Sequence, residues 1–208
     1  MPLGKGASDL KALFLLGALA LTPATASTPR PAPTLAEDFA DVTSRTCYPV
    51  MAGQLRWDPS KLEEERVALG KLGLTPGIPG GVIDALPPTL AATFNQAILA
   101  SRRNGQAHVL FALGRQTLGC QVIAVGAPGT VTEAQMVDLL GSSAHGWTRA
   151  PALDRLSGLI QSRGFVRRTG NGRTLLLDLV VMKEPVGTFR LMTMVMSPPP
   201  GAKLPEGF

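Results

Sequence analysis

The sequence has few of the side chains that carry most protein chemistry. Its 208 residues include only two histidines, two cysteines and one tyrosine. Histidine is the side chain whose ordinary pKa lies near neutral pH, so this chain has few groups suited to proton transfer there. Charged residues make up 17% of the chain and apolar residues 45%, a balance that excludes a disordered protein and indicates a compact globular one.

The sequence also lacks the features of a nucleic-acid-binding protein. Lys and Arg exceed Asp and Glu by 5, which is only a mild basic excess. No aromatic residues alternate with the arginines, and no recognition motif is present. We therefore predict no nucleic-acid partner. After residue 26 no apolar run is long enough to predict a membrane span.

The first 26 residues have the three parts of a secretory signal. Lys5 and Lys11 supply positive charge, residues 12–21 form an uninterrupted apolar core, and residues 24–26 (Ala-Thr-Ala) offer a small-x-small cleavage site. The apolar core is about half of the ~20 residues that a membrane-spanning helix needs, which disfavours a retained anchor. We predict a signal peptide over residues 1–26 and an exported protein, periplasmic or secreted.

Export changes the interpretation of the two cysteines, Cys47 and Cys120. In an oxidising compartment two cysteines most often form a disulfide, whereas in the cytosol a catalytic or metal-binding role would gain weight. A bridge between them would stabilise the fold by roughly 4 kcal/mol on the chain-entropy model. We predict this disulfide, with two free thiols as the alternative.

Three helices are predicted in the first half of the chain after the signal. Thr34 and Glu37 have the spacing of a capping box. The helix that they begin should end before Pro49. Ser60 begins a second helix with the same device. The apolar spacing over residues 90–104 predicts a third helix, which ends at an Asn-Gly pair.

Strands dominate the remainder of the chain. Two apolar runs in residues 106–126 flank a short glycine-containing connection, which is typical of a hairpin. Residues 165–182 form a second hairpin around Asn171 and Gly172, a pair that favours tight turns. Residues 189–196 form the last strand.

Two more helices are predicted between these hairpins. Thr132 and Gln135 form another capping box, and Gly141 lies just past the end of that helix. Pro151 begins a shorter helix whose apolar spacing reaches Ile160.

Consecutive strands joined by tight turns are antiparallel, and helices grouped between sheet segments are typical of α+β proteins. The predicted fold is a single α+β domain over residues 34–197. It has an antiparallel sheet of about five strands, helices packed on the sheet, and N-terminal helices tied by one disulfide. Residues 27–33 are predicted to be a proline-rich linker, and residues 198–208 a flexible tail.

The order of strands and helices resembles that of PAS and profilin-like domains. Residues 35–126 also resemble small secreted alphaproteobacterial proteins of unknown function, on Phe39, Cys47, residues 69–76 (LGKLGLTP) and residues 120–122 (Cys-Gln-Val). Neither resemblance implies an activity, because one fold serves many functions. The resemblance to secreted proteins implies a periplasmic location.

Arginines are concentrated late in the chain, where six of them lie between residues 149 and 173 with Asp154 as the one acidic residue. Guanidinium groups suit carboxylates and phosphates, which would fit an anionic ligand, a lipid headgroup or an acidic partner. The candidate anion-binding residues are Arg163, Arg167, Arg168 and Arg173. The alternative is a solvated sheet edge that discourages aggregation.

His145 is the main candidate for catalysis. It shares a glycine-flanked loop with Ser142 and Ser143, where a nucleophile and base could pair, although the Gly-x-Ser-x-Gly motif of hydrolases is absent. A histidine that braces the loop is the alternative. His108 and His145 have no cysteine or carboxylate neighbours at ligand spacing. We therefore predict no metal or cofactor and assign no catalytic residue.

Asp178 lies in an otherwise apolar strand (LLLDLVV), where burial without a partner would cost free energy. It is predicted either to face solvent or an arginine, or to transfer protons with a raised pKa.

The methionines of the last strand, Met192, Met194 and Met196, alternate and so share one face. The same alternation places Phe189, Leu191 and Val195 on the other face. Two apolar faces are typical of a central strand covered by helices on both sides. The alternative is a pliable methionine surface for a hydrophobic ligand or a protein partner.

Together these patterns predict an exported, non-enzymatic domain that binds a protein partner or a small ligand. The alternative is a small periplasmic hydrolase with its site near His145. A third hypothesis is an envelope-associated protein that uses its arginines on anionic lipid.

Overall fold

The structure, a computed structural model, describes residues 31–55, 61–94, 97–114, 119–126, 131–186, 189–198, 201–202 and 204. The helices and strands among them belong to one compact unit, Pro33–Phe208. No helix in these ranges has both the length and the apolar character needed to cross a membrane. The predicted signal peptide, and most of the predicted linker and tail, lie outside the described residues.

The described elements are five α-helices, two helical turns of other kinds and nine strands. The helices are α1 (Leu35–Val42), α2 (Tyr48–Met51), α3 (Leu62–Lys71), α4 (Pro88–Phe94) and α5 (Glu133–Gly141), with a π-helical turn at Thr43–Cys47 and a 3-10 turn at Pro151–Leu153. The strands are β1 (Thr75–Pro76), β2 (Ala97–Asn104), β3 (Ala107–Gly114), β4 (Gly119–Val125), β5 (Thr148–Arg149), β6 (Arg155–Ser157), β7 (Ile160–Arg168), β8 (Thr174–Val186) and β9 (Phe189–Met196).

The strands form one antiparallel sheet in the order β1-β2-β3-β4-β9-β8-β7-β5, and β6 pairs with β7 as well. The strands β1 to β4 pair in chain order, as do β6 to β9, and β9 lies beside β4 and so joins the two groups. The prediction of helices with an antiparallel sheet is confirmed. The predicted number of about five strands is wrong, since the sheet has nine strands within the described ranges.

Both predicted hairpins are present. β3 pairs with β4 from His108 opposite Val125 to Leu113 opposite Cys120. In the β7–β8 hairpin the Gly172 N–H donates to the Thr169 carbonyl at 2.9 Å. Gly172 has φ +80°, a conformation that glycine adopts without the steric cost that a side chain would bring.

The predicted third helix is only partly present, because residues 97–104 form β2 rather than a helix end. β2 pairs with β3 over eight residues, and Ala100 and Ser101 are both buried, so both faces of the strand are covered. Arg102, which a helix end would have left in solvent, instead donates to Asp38 at 3.0 Å and to Asp41 at 3.1 Å. Contacts with the rest of the fold thus override the local helical spacing.

The predicted helix after Pro151 is reduced to the single 3-10 turn Pro151–Leu153. The Asp154 carboxylate accepts the backbone N–H of Gly164 at 3.0 Å, which directs the following residues along the edge of β7. Leu156 then lies in β6, opposite Gln161 of β7. The apolar spacing that suggested a helix therefore belongs to a hairpin.

The first helix begins as predicted, because the Thr34 and Glu37 side chains form the capping box. It continues past Pro49, where the sequence predicted an exit, through the π-helical turn and α2 to Met51. Pro49 lies in the first turn of α2, directly after the π-helical turn, where the regular i→i−4 hydrogen-bond pattern is already interrupted.

The predicted disulfide between Cys47 and Cys120 is present, with a Cα–Cα distance of 5.5 Å. Both residues are fully buried. The bridge joins a helical segment to a strand and does not join two N-terminal helices to each other. It ties the π-helical turn to β4, because Cys47 lies on the side of the turn that packs on the sheet.

The sheet has a covered face on each side. The face that carries Phe111, Val122 and Leu177 packs with α1 and α5 in the larger apolar cluster, and we call it the helix face. Here the hydroxyls of Thr43 and Thr193 share a buried hydrogen bond of 2.9 Å. On the opposite face, α4 and the loop before it cover the side chains of β2, β3 and β4 in a second cluster.

Candidate functional site

Three methionines share one face of β9, opposite to the helix face, as alternation predicted. The register places Met196 opposite Leu176, Met194 opposite Asp178, and Met192 opposite Val180. Directly opposed residues of paired strands project to the same side of a sheet. We call the group the methionine face; its members are Leu176, Asp178, Val180, Met192, Met194 and Met196.

Phe189 does not lie with Leu191 and Val195, as simple alternation predicted. The register of β4 with β9 shifts between Ala124 and Val125, and the extra residue of such a bulge reverses the direction of the side chains beyond it. Phe189 therefore packs in the second cluster, on the methionine side of the sheet. Leu191 and Val195 pack on the helix face.

The methionine face is apolar but is not fully covered. All six of its side chains are partly exposed. Met192 packs against the cluster around α4, whereas Leu176, Val180, Met194 and Met196 belong to neither apolar cluster of the described residues. The remainder of the methionine face is thus a partly accessible apolar surface of the kind that marks binding sites.

Two buried polar atoms without partners lie on this side of the sheet, one on the methionine face and one on the neighbouring strand β7. In the described part of the chain, neither the Oδ1 atom of Asp178 nor the Oγ atom of Ser162 makes a hydrogen bond. Gly164 lies opposite Asp178, and Ser162 lies opposite Val180, so Asp178 and Ser162 are diagonal neighbours on one face, at a spacing of about 7–8 Å. The arginine partner that the sequence predicted as one possibility for Asp178 is not present among the described residues.

The 3-10 turn closes one side of the methionine face. A Cβ placed on Gly164 would overlap the Cβ of Leu153 and would lie 3.1 Å from the Ala150 carbonyl oxygen. Leu153 therefore lies directly over Gly164 on the side where Asp178 projects. The sequence has one signal for this close approach of Leu153, which is the glycine in the middle of β7.

A charged cluster at the edge of β7 positions that turn. The Arg149 guanidinium donates to both Asp154 carboxylate oxygens, at 2.8 Å and 2.7 Å, and Arg163 donates to Asp154 and to Glu133. Burial alone would raise the pKa of Asp154, but hydrogen bonds from Arg149, the Gly164 N–H and Arg163 lower it overall. The Glu133 carboxylate raises the pKa of Arg163.

The structure does not bring the four candidate anion-binding arginines together. Arg163 and Arg167 project to the helix face, because they lie opposite Leu179 and Leu175, whereas Arg168 projects to the other side. Arg167 stacks 3.7 Å from the centroid of the Tyr48 ring. The remaining arginine, Arg173, donates to the Ser197 hydroxyl at 3.0 Å. To bind one anion together, these arginines would have to break several of the contacts that they make in this fold.

The predicted pairing of His145 with a serine is not present in the described residues. The Ser142 hydroxyl donates to the Leu139 carbonyl at 2.6 Å, where it caps the end of α5, and Ser143 is exposed. His145 is only 8% exposed, and its Nδ1 atom has no partner among the described residues. It lies in the loop that packs against the first helix and Arg167.

Burial lowers the pKa of His145 below its ordinary value of 6.5; Asp41 opposes this shift, whereas Arg45 and Arg167 add to it. The unfolded chain then binds a proton more readily than the folded one, so stability should be full above pH 6.5 and should fall as the pH drops below it. We expect His145→Gln to flatten this decline. Urea unfolding at a series of pH values measures it, and equal slopes for the two proteins would contradict the expectation.

A groove of about 550 Å³ lies between α1 and α5. Its lining residues are Thr34, Glu37, Gln135, Asp138, Leu139 and Ser142. Thr34 and Glu37 are already bonded to each other in the capping box. None of the partnerless buried polar atoms of the described residues belongs to this lining, so the groove offers a ligand less than the methionine face does.

The two histidines lie on different sides of the sheet. His108 lies opposite Val125 in β3, on the methionine side, whereas Arg167 of the helix face donates to the His145 carbonyl. Within the described ranges no three histidine, cysteine or carboxylate side chains come together as a metal site.

No family model, curated protein or solved structure matches this chain. The resemblances predicted from the sequence remain predictions. Function is therefore inferred from the side chains of this protein, among which the methionine face combines accessible apolar surface with partnerless polar atoms.

Proposed function

We propose that the protein is an exported, non-enzymatic binding domain that accommodates an apolar segment of a partner protein on its methionine face. The observation that carries this proposal is the pair of buried atoms, Asp178 Oδ1 and Ser162 Oγ, that lack hydrogen-bond partners in the described residues. An unmade hydrogen bond in a buried place costs about 1–3 kcal/mol. A bound segment that moves the side chains covering these atoms and donates to them would recover that cost.

The character of the surface favours a protein segment over a small molecule. Small ligands are usually enclosed in a cavity, whereas this surface extends over two neighbouring strands and each side chain is only partly covered. Methionine has an unbranched, polarizable side chain that adapts to irregular apolar shapes. A row of three methionines on β9 suits a partner whose apolar side chains vary.

Two further observations support the remaining parts of the proposal. The secretory pattern of residues 1–26 and the disulfide are both consistent with an oxidising compartment outside the cytosol. The Ser142 hydroxyl is bonded to a backbone carbonyl rather than to His145, which favours a binding role over hydrolysis.

The test uses a random peptide library displayed on phage and selected on the full chain. We expect apolar peptides with a lysine, arginine or amide donor, and we expect Met194→Ser to weaken their binding by about tenfold, as the loss of one partly buried apolar side chain implies. Fluorescence anisotropy of a labelled peptide gives the Kd of each variant. Asp178→Ala should weaken the binding of the same peptides. The difference in Kd between peptides with and without a donor should be smaller for this variant than for wild type.

Leu156→Ser is the matched control, because Leu156 is an apolar side chain that is 71% exposed and lies outside the methionine face. It should leave peptide binding unchanged. Peptides that bind wild-type and Met194→Ser protein equally well would refute the proposal. If Met194→Ser weakened the binding of small amphipathic molecules but not of peptides, the occupant of the methionine face would be a small ligand.

A further inference from the structure

The β6–β7 hairpin exposes apolar side chains at its tip. Leu156 is 71% exposed, Leu159 55% and Ile160 43%. Among the large apolar side chains of the described residues, only Val67 of α3 has comparable exposure. We call residues 155–160 the hairpin tip. Exposure of three neighbouring apolar side chains to water is unfavourable, and such patches usually mark a surface that binds a protein or a membrane.

These side chains project from both sides of the hairpin. Leu156 lies opposite Gln161, whereas Ile160 lies opposite Ser157 and Met182. Because consecutive residues of β7 alternate, Leu156 and Ile160 project to opposite faces, and Leu159 occupies the turn between the strands. The tip is also well supported, since the Leu159 carbonyl accepts the Lys183 N–H of β8 at 3.0 Å.

Exposed cations flank the apolar tip. Arg155 and Lys183 are both exposed, and alternation places Arg155 on the side of Ile160 and Lys183 on the side of Leu156. Glu184 is an exposed carboxylate nearby and offsets part of this charge. Asp154, the other neighbouring carboxylate, is already paired with Arg149 and Arg163.

We propose that the hairpin tip inserts into the headgroup region of an anionic lipid bilayer. A protein partner with one binding surface would cover one side of the hairpin and leave the other apolar side in water. A bilayer surrounds an inserted tip on all sides. Apolar side chains enter the boundary between headgroups and acyl chains, while flanking Lys and Arg remain with the anionic headgroups. This site is separate from the methionine face.

The test measures binding of the full chain to vesicles of phosphatidylcholine, alone or mixed with phosphatidylglycerol, by flotation. We expect Leu156→Ser with Leu159→Ser to reduce the partition coefficient by at least about tenfold on the mixed vesicles. Lys183→Ser should reduce it by about fivefold on mixed vesicles and little on neutral ones. High salt should weaken binding of the wild-type protein to the mixed vesicles.

Two controls isolate the hairpin tip from other apolar parts of the chain, including residues 12–21. Val67→Ser removes an equally exposed apolar side chain from α3 and should leave partitioning unchanged. In Leu159→Trp protein, brominated lipid should quench emission more than it does in wild-type protein. Equal partitioning of wild-type and doubly substituted protein, or no added quenching at residue 159, would overturn the proposal. Concentration-dependent self-association that the double substitution abolishes, without lipid binding, would indicate a second copy instead.

Discussion

Replacement of Cys47 and Cys120 together by alanine is expected to lower the free energy of unfolding by about 4 kcal/mol. The bridge joins residues 73 apart in sequence, and restricting a loop of that length in the unfolded chain accounts for about this amount. For a domain of this size the midpoint of thermal unfolding should fall by about 8–16 °C. Urea unfolding of the two proteins at one pH measures the difference.

Reduction of the wild-type protein separates the covalent bond from the packing of the two side chains. Dithiothreitol leaves both sulfur atoms in place but removes the bond between them, so most of the loss should appear in reduced wild-type protein as well. Because both cysteines are fully buried, reduction should require the protein to open first. If the doubly substituted protein unfolded at the same urea concentration as oxidised wild-type protein, the bridge would not stabilise the fold.

The parts of the fold that the sequence predicted correctly are those with strong local signals. The capping box at Thr34 involves side chains three residues apart, and the Asn171-Gly172 turn is determined by its own backbone preferences. The β3–β4 hairpin follows from two apolar runs with a short connection. In each case the residues that determine the structure are neighbours in the chain.

The parts that the sequence did not predict depend on distant residues. β2 forms because β3 pairs with its whole length and because Asp38 and Asp41 bind Arg102. Its apolar spacing alone fits a helix equally well. The edge strands β1, β5 and β6 have two or three residues each, too few for a periodic pattern.

The candidate site was predicted in part. Alternation along β9 correctly placed three methionines on one face, and Asp178 was conspicuous as a carboxylate in an apolar strand. Ser162 was missed, because the sequence does not reveal which residue of β7 lies beside Asp178. That neighbour is determined by the register of β7 with β8, which depends on the length of the turn between them.

Gly164→Ala is expected to destabilise the protein by about 2–3 kcal/mol, because overpacking forces the surroundings to shift. The new Cβ would overlap Leu153 and would meet the Ala150 carbonyl oxygen at 3.1 Å. Backbone atoms are among these neighbours, so a change of rotamer cannot relieve the contact. The turn must move, together with Asp154 and its ion pairs. Urea unfolding of the variant and wild type gives the magnitude.

Gly170→Ala is the matched control, because a Cβ at Gly170 would meet nothing within 4 Å and the change should cost less than about 0.5 kcal/mol. Both substitutions add the same methyl group to the β7–β8 hairpin, so a difference between them measures the close approach of the turn to β7. Since Gly164 lies opposite Asp178, displacement of Leu153 would also uncover that side of the methionine face. Equal stability of the two variants would show that the turn does not press on β7 there, and would remove Leu153 from the boundary of the site.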